Sequence, residues 1–272
     1  MLKMKENTIL DIAYSDIGLA PWNTMEHYYL AAQLGFNAIK GDVQVTKDGK
    51  LVMCHDSGFT FNKEGRITEF DPKKNFTAIS DLTFDECMRL EHEQLSKPSL
   101  YYAKVASLDD FVCLCAKMDK VCYITLRDRD LDILIPETLR IIKKHKMEKN
   151  CIINSFTMET LKRMRAADKE MTLSRVLAPF AVLTKDIVDE VAILHNAMLC
   201  MFSFDPYSYD KPVGNYEVIE KSLDAMNYAK SLHIPLFQAQ IYDMADRGKL
   251  IKYGFTGFHI VLPIFPKLRQ NG

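Results

Sequence analysis

The chain has 272 residues, with 35 Lys+Arg against 36 Asp+Glu, a formal charge of −1 and 48% hydrophobic residues. Balanced charge removes the basic footprint of a nucleic-acid binder, and apolar residues spread along the whole chain exclude the disordered class. The seven cysteines show no paired-ligand zinc spacing, and no uncharged apolar run approaches the ~18 residues of a membrane span. With no signal-peptide pattern at the start, these features predict a soluble, reduced, cytoplasmic protein.

Residues 8–13 read as a short strand, followed by the turn Pro21-Trp22-Asn23-Thr24, where Asn23 or Thr24 is placed to cap a helix. That helix runs to about Leu34 with Met25, Tyr28, Tyr29 and Ala32 on its buried side, and Gly35 ends it. A second strand at 38–45, the turn Lys47-Asp48-Gly49 and a short strand at 51–54 form a hairpin. Residues 57–106 are too long for a structureless loop and read as an insertion.

Strands at 121–126, 151–155, 172–177, 198–204, 235–240 and 257–261 then alternate with helices near 131–146, 158–167, 185–194, 222–233 and 243–253. Without the hairpin partner, eight strands are counted, near residues 8, 38, 121, 151, 172, 198, 235 and 257. Such alternation predicts a parallel sheet covered by helices, and eight units predict an α/β fold of the TIM-type (β/α)8 barrel class. With no linker or repeat, residues 1–272 are read as one domain with an insertion after the second strand region, beside the barrel mouth.

In a parallel barrel the chemistry gathers where the strands end. The second strand ends Lys40-Gly41-Asp42-Val43-Gln44, so Lys40, Asp42 and Gln44 share a face opposite Gly41 and Val43. Thr125 and Arg127 share a face at the end of the third barrel strand. His55 points away from Cys54, which argues against a Cys–His nucleophilic pair.

From here the sequence resembles the glycerophosphodiester phosphodiesterase family. The matching segments are Ala20-Pro21-Trp22-Asn23-Thr24, Leu34-Gly35-Phe36, Asp42-Val43-Gln44-Val45-Thr46-Lys47-Asp48-Gly49 and Val52-Met53-Cys54-His55-Asp56. Others are Asn62 with Gly65, Ser107-Leu108-Asp109-Asp110, Ser155-Phe156 with Leu161, and Tyr253-Gly254-Phe255-Thr256-Gly257. The resemblance implies a TIM-type barrel, phosphoric diester hydrolysis in lipid metabolism, an Mg or Ca ion, and an insertion that helps hold the substrate's glycerol part.

The residues depart from that pattern at the machinery. Tyr14-Ser15-Asp16 stands where active members carry His-Arg-Gly, and no histidine precedes His27. Two glutamate metal ligands fall at Lys40 and Thr125, Arg127 takes a lysine position, and Trp22 replaces the Glu of the Pro-Glu-Asn-Thr motif. Replacing two carboxylates by Lys40 and Thr125 moves the cluster about three charges toward positive. A hard divalent ion needs several oxygen ligands, so no metal is expected at the family's position.

His55 reads as a rim residue and candidate general acid or base, the alternative being a histidine that only hydrogen-bonds the strand end. Lys40 could stabilise phosphoryl charge, but a plain Lys40–Asp42 pair filling the vacated metal position is preferred. Arg127 either binds phosphate or pairs with Asp128 or Asp130, and Asp42 with Asp16 could neutralise the cations internally. His259 reads as a satisfied core histidine, the cysteines and methionines as core filler, and Tyr207, Tyr209 and Lys211 as possible ligand contacts.

Three functions follow: a phosphodiesterase that has replaced its metal site, a relative that binds a phosphorylated ligand with weak or no hydrolysis, or an interaction scaffold. The second leads. Its partner is a small phosphorylated molecule such as a glycerophosphodiester or glycerol phosphate, bound at Lys40, Asp42, Arg127, Tyr207 and Tyr209, with His55 as the candidate catalytic residue and no cofactor. The oligomeric state is left open.

Overall fold

A computed structural model describes residues 9–14, 20–68, 71–93, 103–203 and 216–261. Strand β1 (Leu10–Ala13) leads through α1 (Met25–Gln33) to β2 (Ala38–Val45), against which β3 (Leu51–Met53) packs antiparallel. Residues that follow form a small antiparallel sheet of β4 (Gly58–Phe61), β5 (Ile67–Thr68) and β6 (Phe76–Ala78), then the short α2 (Phe84–Cys87). The chain returns through α3 (Leu108–Lys117) to β7 (Val121–Leu126), α4 (Leu131–Lys144) and β8 (Cys151–Ser155). It continues through α5 (Met158–Ala167), β9 (Thr172–Val176), α6 (Lys185–Ala192) and β10 (Ala197–Met201). The last elements are α7 (Tyr216–Lys221), α8 (Leu223–Ser231), β11 (Leu236–Ile241), α9 (Met244–Tyr253) and β12 (Gly257–Ile260).

Parallel pairing runs β1-β2-β7-β8-β9-β10-β11-β12 and back to β1, which closes the sheet into an eight-stranded TIM barrel with β3 outside the ring. Closure leaves no exposed edge among these strands. Each strand's two-residue period divides its side chains between two cores. Leu10, Ile12, Tyr123, Ile152, Met198 and Phe237 fill the interior, whereas Ile39, Val43, Ile124, Ile153 and Leu199 pack outward against the helices.

The hairpin turns as expected, with Gly49 at φ 74°. Thr24 caps α1 by accepting from the His27 amide at 3.3 Å. Tyr29 departs from expectation: it is 51% exposed, because one residue beyond Tyr28 the helix has turned its side chain to solvent. Two features went unpredicted. The insertion folds as a sheet over its own core of Val52, Cys54, Phe59, Ile67 and Ile79, and α3 forms between it and β7. All seven cysteines are free thiols, Cys113 alone only partly buried. Among the described residues no helix is long and apolar enough to cross a membrane.

Candidate functional site at the barrel mouth

Strand β2 delivers the charged residues. Gly41 and Val43 face the helices; a Cβ on Gly41 would lie 2.4 Å from Met53 Cε and 2.9 Å from Tyr28 Oη. Lys40 and Asp42, on the other face, line a pocket together with Tyr14, His55, Thr125 and Arg127. The pocket is narrow, about 20 Å³, and opens to solvent on one side. Register explains the convergence: Asp42 lies beside Thr125 across the β2–β7 ladder, and the Arg127 amide donates to Val43 O at 3.3 Å. Gln44 turns away to donate to Asp56 O at 2.6 Å. Asn23, held at φ 58°, accepts from the Asp42 amide at 3.0 Å and from Tyr28 Oη at 2.9 Å, which fixes the start of α1 against the site.

Asp42 is fully buried between two cations. Lys40 Nζ donates to Oδ2 at 2.6 Å, and Arg127 Nη2 lies 3.1 Å from Oδ1 as an ion pair without an aligned hydrogen bond. Burial works to raise the Asp42 carboxyl, but Lys40, Arg127 and His55 outweigh it and hold the group well below the usual carboxylate range. Burial lowers the Lys40 ammonium, with Asp42 opposing and Arg127 reinforcing the shift. The ammonium also sits 4.9 Å from the centroid of the Tyr14 ring. Burial, then the charge of Asp42, pushes the Tyr14 phenol up, so it stays a neutral hydroxyl. Among the described residues, Lys40 and Arg127 against Asp42 give a formal balance of +1 (two cations, one anion).

The donor set does not fit a divalent cation. Both Asp42 oxygens face cationic nitrogens, and the Thr125 hydroxyl accepts from Asn154 Nδ2 at 3.0 Å. Among the described residues no three His, Cys, Asp or Glu side chains gather to hold a metal.

His55 reaches the rim from the end of β3 with its side chain 35% exposed. Its Nδ1 lies 2.9 Å from Asp56 Oδ1 and Trp22 meets the ring edge-on at 5.9 Å, which leaves Nε2 for other partners. Phe156 and Phe202, stacked at 6.2 Å, also line the pocket.

Two expectations are corrected. Arg127 pairs with Asp42 rather than Asp128 or Asp130; Asp128 instead accepts from Ser155 at 2.9 Å and Thr160 at 2.7 Å. His259 is buried, yet neither ring nitrogen has a hydrogen-bond partner, and it lines the pocket. Tyr207, Tyr209, Lys211 and Asp16 lie outside the described residues. Sequence reasoning missed the contribution of Asn154, whose signal was a polar residue near the end of an otherwise apolar strand. Asn154 joins Tyr123 and Ser174 in a buried layer, Tyr123 Oη lying 3.0 Å from Asn154 Oδ1 and 2.7 Å from Ser174 Oγ.

The fold is a closed (β/α)8 barrel with a buried cluster of charged side chains at its mouth. Residues 17–201 match the Glycerophosphoryl diester phosphodiesterase family, and the chain belongs to it. It is 26% identical over 254 residues to the uncharacterized protein YqiK of Bacillus subtilis, covering 90% of this chain and 91% of that protein. It is 28% identical over 149 residues to a glycerophosphodiester phosphodiesterase of Caldanaerobacter subterraneus, covering 53% and 56%. A phosphodiesterase of Oleispira antarctica, solved with the product sn-glycerol-3-phosphate, shares the fold with a TM-score of 0.74 at 16% identity over 92% of each chain.

Proposed function

We propose that this protein binds a small phosphorylated ligand, of the glycerophosphodiester or glycerol phosphate class, directly at the barrel mouth, with weak or no hydrolysis. The observation that carries the reading is the buried Lys40–Asp42–Arg127 cluster, in which, among the described residues, two cations meet one carboxylate. A guanidinium matches phosphate geometry bidentately, and low-dielectric walls strengthen the cationic field. The solved relative that holds sn-glycerol-3-phosphate supports the ligand class. In this reading Arg127, 22% exposed, meets the phosphate, Lys40 adds charge from below, and Asp42 holds both in place.

Hydrolysis needs proton transfer to the leaving alcohol and activation of the nucleophile, each worth about 10²- to 10⁴-fold. His55 can supply one such step. Tyr14, neutral and buried, is no base. A second reading, an active phosphoric diester hydrolase in which Lys40 and Arg127 replace the metal, is favoured by the 2.9 Å His55–Asp56 contact, which orients a rim imidazole. Assays with glycerophosphocholine and an aryl phosphodiester, with and without Mg²⁺ or Ca²⁺, separate the two. The expected result is turnover absent or orders of magnitude below that of the Caldanaerobacter relative. Robust turnover abolished by His55→Ala would establish the second reading instead.

A further inference from the structure

His259 stands on β12 with 2% of its surface exposed. Its ring stacks on Tyr14 at 5.8 Å between centroids and meets Tyr123 edge-on at 4.6 Å. Both ring nitrogens are buried without hydrogen-bond partners, although buried polar atoms are nearly always paired. Polar neighbours settle their bonds elsewhere: Tyr123 with Asn154 and Ser174, Asn154 with Thr125, and Lys40 with Asp42. His27 also has two unpaired ring nitrogens, but of the two histidines only His259 lines the pocket.

Burial, reinforced by the charge of Lys40, brings the His259 pKa down to about 3, so the ring is neutral at working pH. A neutral imidazole carries one N–H donor and one bare acceptor nitrogen. A fully ionised phosphate ester supplies acceptors only and leaves the bare nitrogen unmet. Asp42 Oδ1 is a second buried acceptor with no aligned donor. A complementary occupant must therefore bring both an anion and O–H groups.

We propose that His259 is a ligand-contacting, specificity-determining residue that selects phosphate esters bearing a hydroxyl on the alcohol skeleton, the phosphate lying on Arg127 and Lys40 and the hydroxyl on the imidazole. This rests on the anion-binding reading above.

Calorimetry in the presence of a chelator, with glycerol 3-phosphate, n-propyl phosphate and inorganic phosphate as probes, tests it. The wild-type protein should bind glycerol 3-phosphate about tenfold more tightly than n-propyl phosphate, the size expected of one net hydrogen bond. His259→Phe keeps the aromatic stack and should erase that preference without abolishing phosphate-ester binding. Equal binding of both esters by the wild-type protein, a comparison that needs no variant, overturns this inference alone. Failure of all three probes to bind overturns it together with the anion-site reading.

Discussion

Charge at the mouth is settled by a few side chains whose burial makes each of them sensitive to its neighbours. Asp42 stays ionised because Lys40 and Arg127 outweigh the cost of burying it. His27 and His259 are buried without a carboxylate partner, and burial, then the charge of Lys40, lowers their pKa values to about 4 and about 3. An unfolded histidine titrates near 6.5. Below that pH the unfolded chain takes up protons that the folded chain refuses, so stability is full above about pH 6.5. It falls by up to about 1.4 kcal/mol per pH unit for each histidine until the folded pKa is reached. The loss at Asp42 belongs below about pH 4 and leaves this window clear. Urea midpoints should therefore drop between pH 7 and pH 4.5, and His259→Phe should flatten the drop. A midpoint that does not move would contradict the buried, neutral assignment. At this scale Lys40, Asp42, Thr125 and Arg127 were legible because a two-residue period assigns strand faces without knowledge of the fold. The state of His259 was not. Sequence shows that a histidine lies on a barrel strand, but not whether its nitrogens find partners.

Elements were legible where pattern and fold agree. All eight barrel strands were readable from apolar runs separated by helical spacing, and the Asp48-Gly49 hairpin from its turn chemistry. Helix α3 was not read, although Ser107 caps it by accepting from the Asp110 amide at 3.0 Å, and Phe111, Val112 and Cys115 form its buried stripe. The segment lies next to the insertion, and in the sequence its start stands out only as the motif Ser107-Leu108-Asp109-Asp110. The insertion's three short strands of two to four residues each are too brief for periodicity to declare. Packing of α1 on β2 depends on Gly41. Met53 Cε can move away from an added methyl, but Tyr28 Oη is tied to Asn23, which also holds the Asp42 amide. Gly41→Ala should therefore destabilise the protein by about 1–3 kcal/mol, as overpacking does elsewhere. Urea unfolding checks this. An unchanged midpoint would mean that Tyr28 shifts freely and does not anchor the site.

Across the whole molecule the formal charge is −1, yet among the described residues the buried cluster at the mouth sums to +1 from two cations and one carboxylate. The barrel sets that contrast by bringing β2, the end of β3 and β7 to one rim, where residues far apart in sequence share one low-dielectric pocket. Family membership accounts for the scaffold, while the residues at Lys40 and Thr125 account for how the mouth differs from the motif it resembles. In the proposed function, phosphate meets protein cations here with no bridging metal. The most direct measurement is an anomalous difference map from crystals soaked with glycerol 3-phosphate and excess Mn²⁺. Phosphate density is expected against Arg127 and Lys40, with no manganese peak within bonding distance of Asp42. A manganese ion ligated by Asp42 and bridging to the phosphate would contradict it.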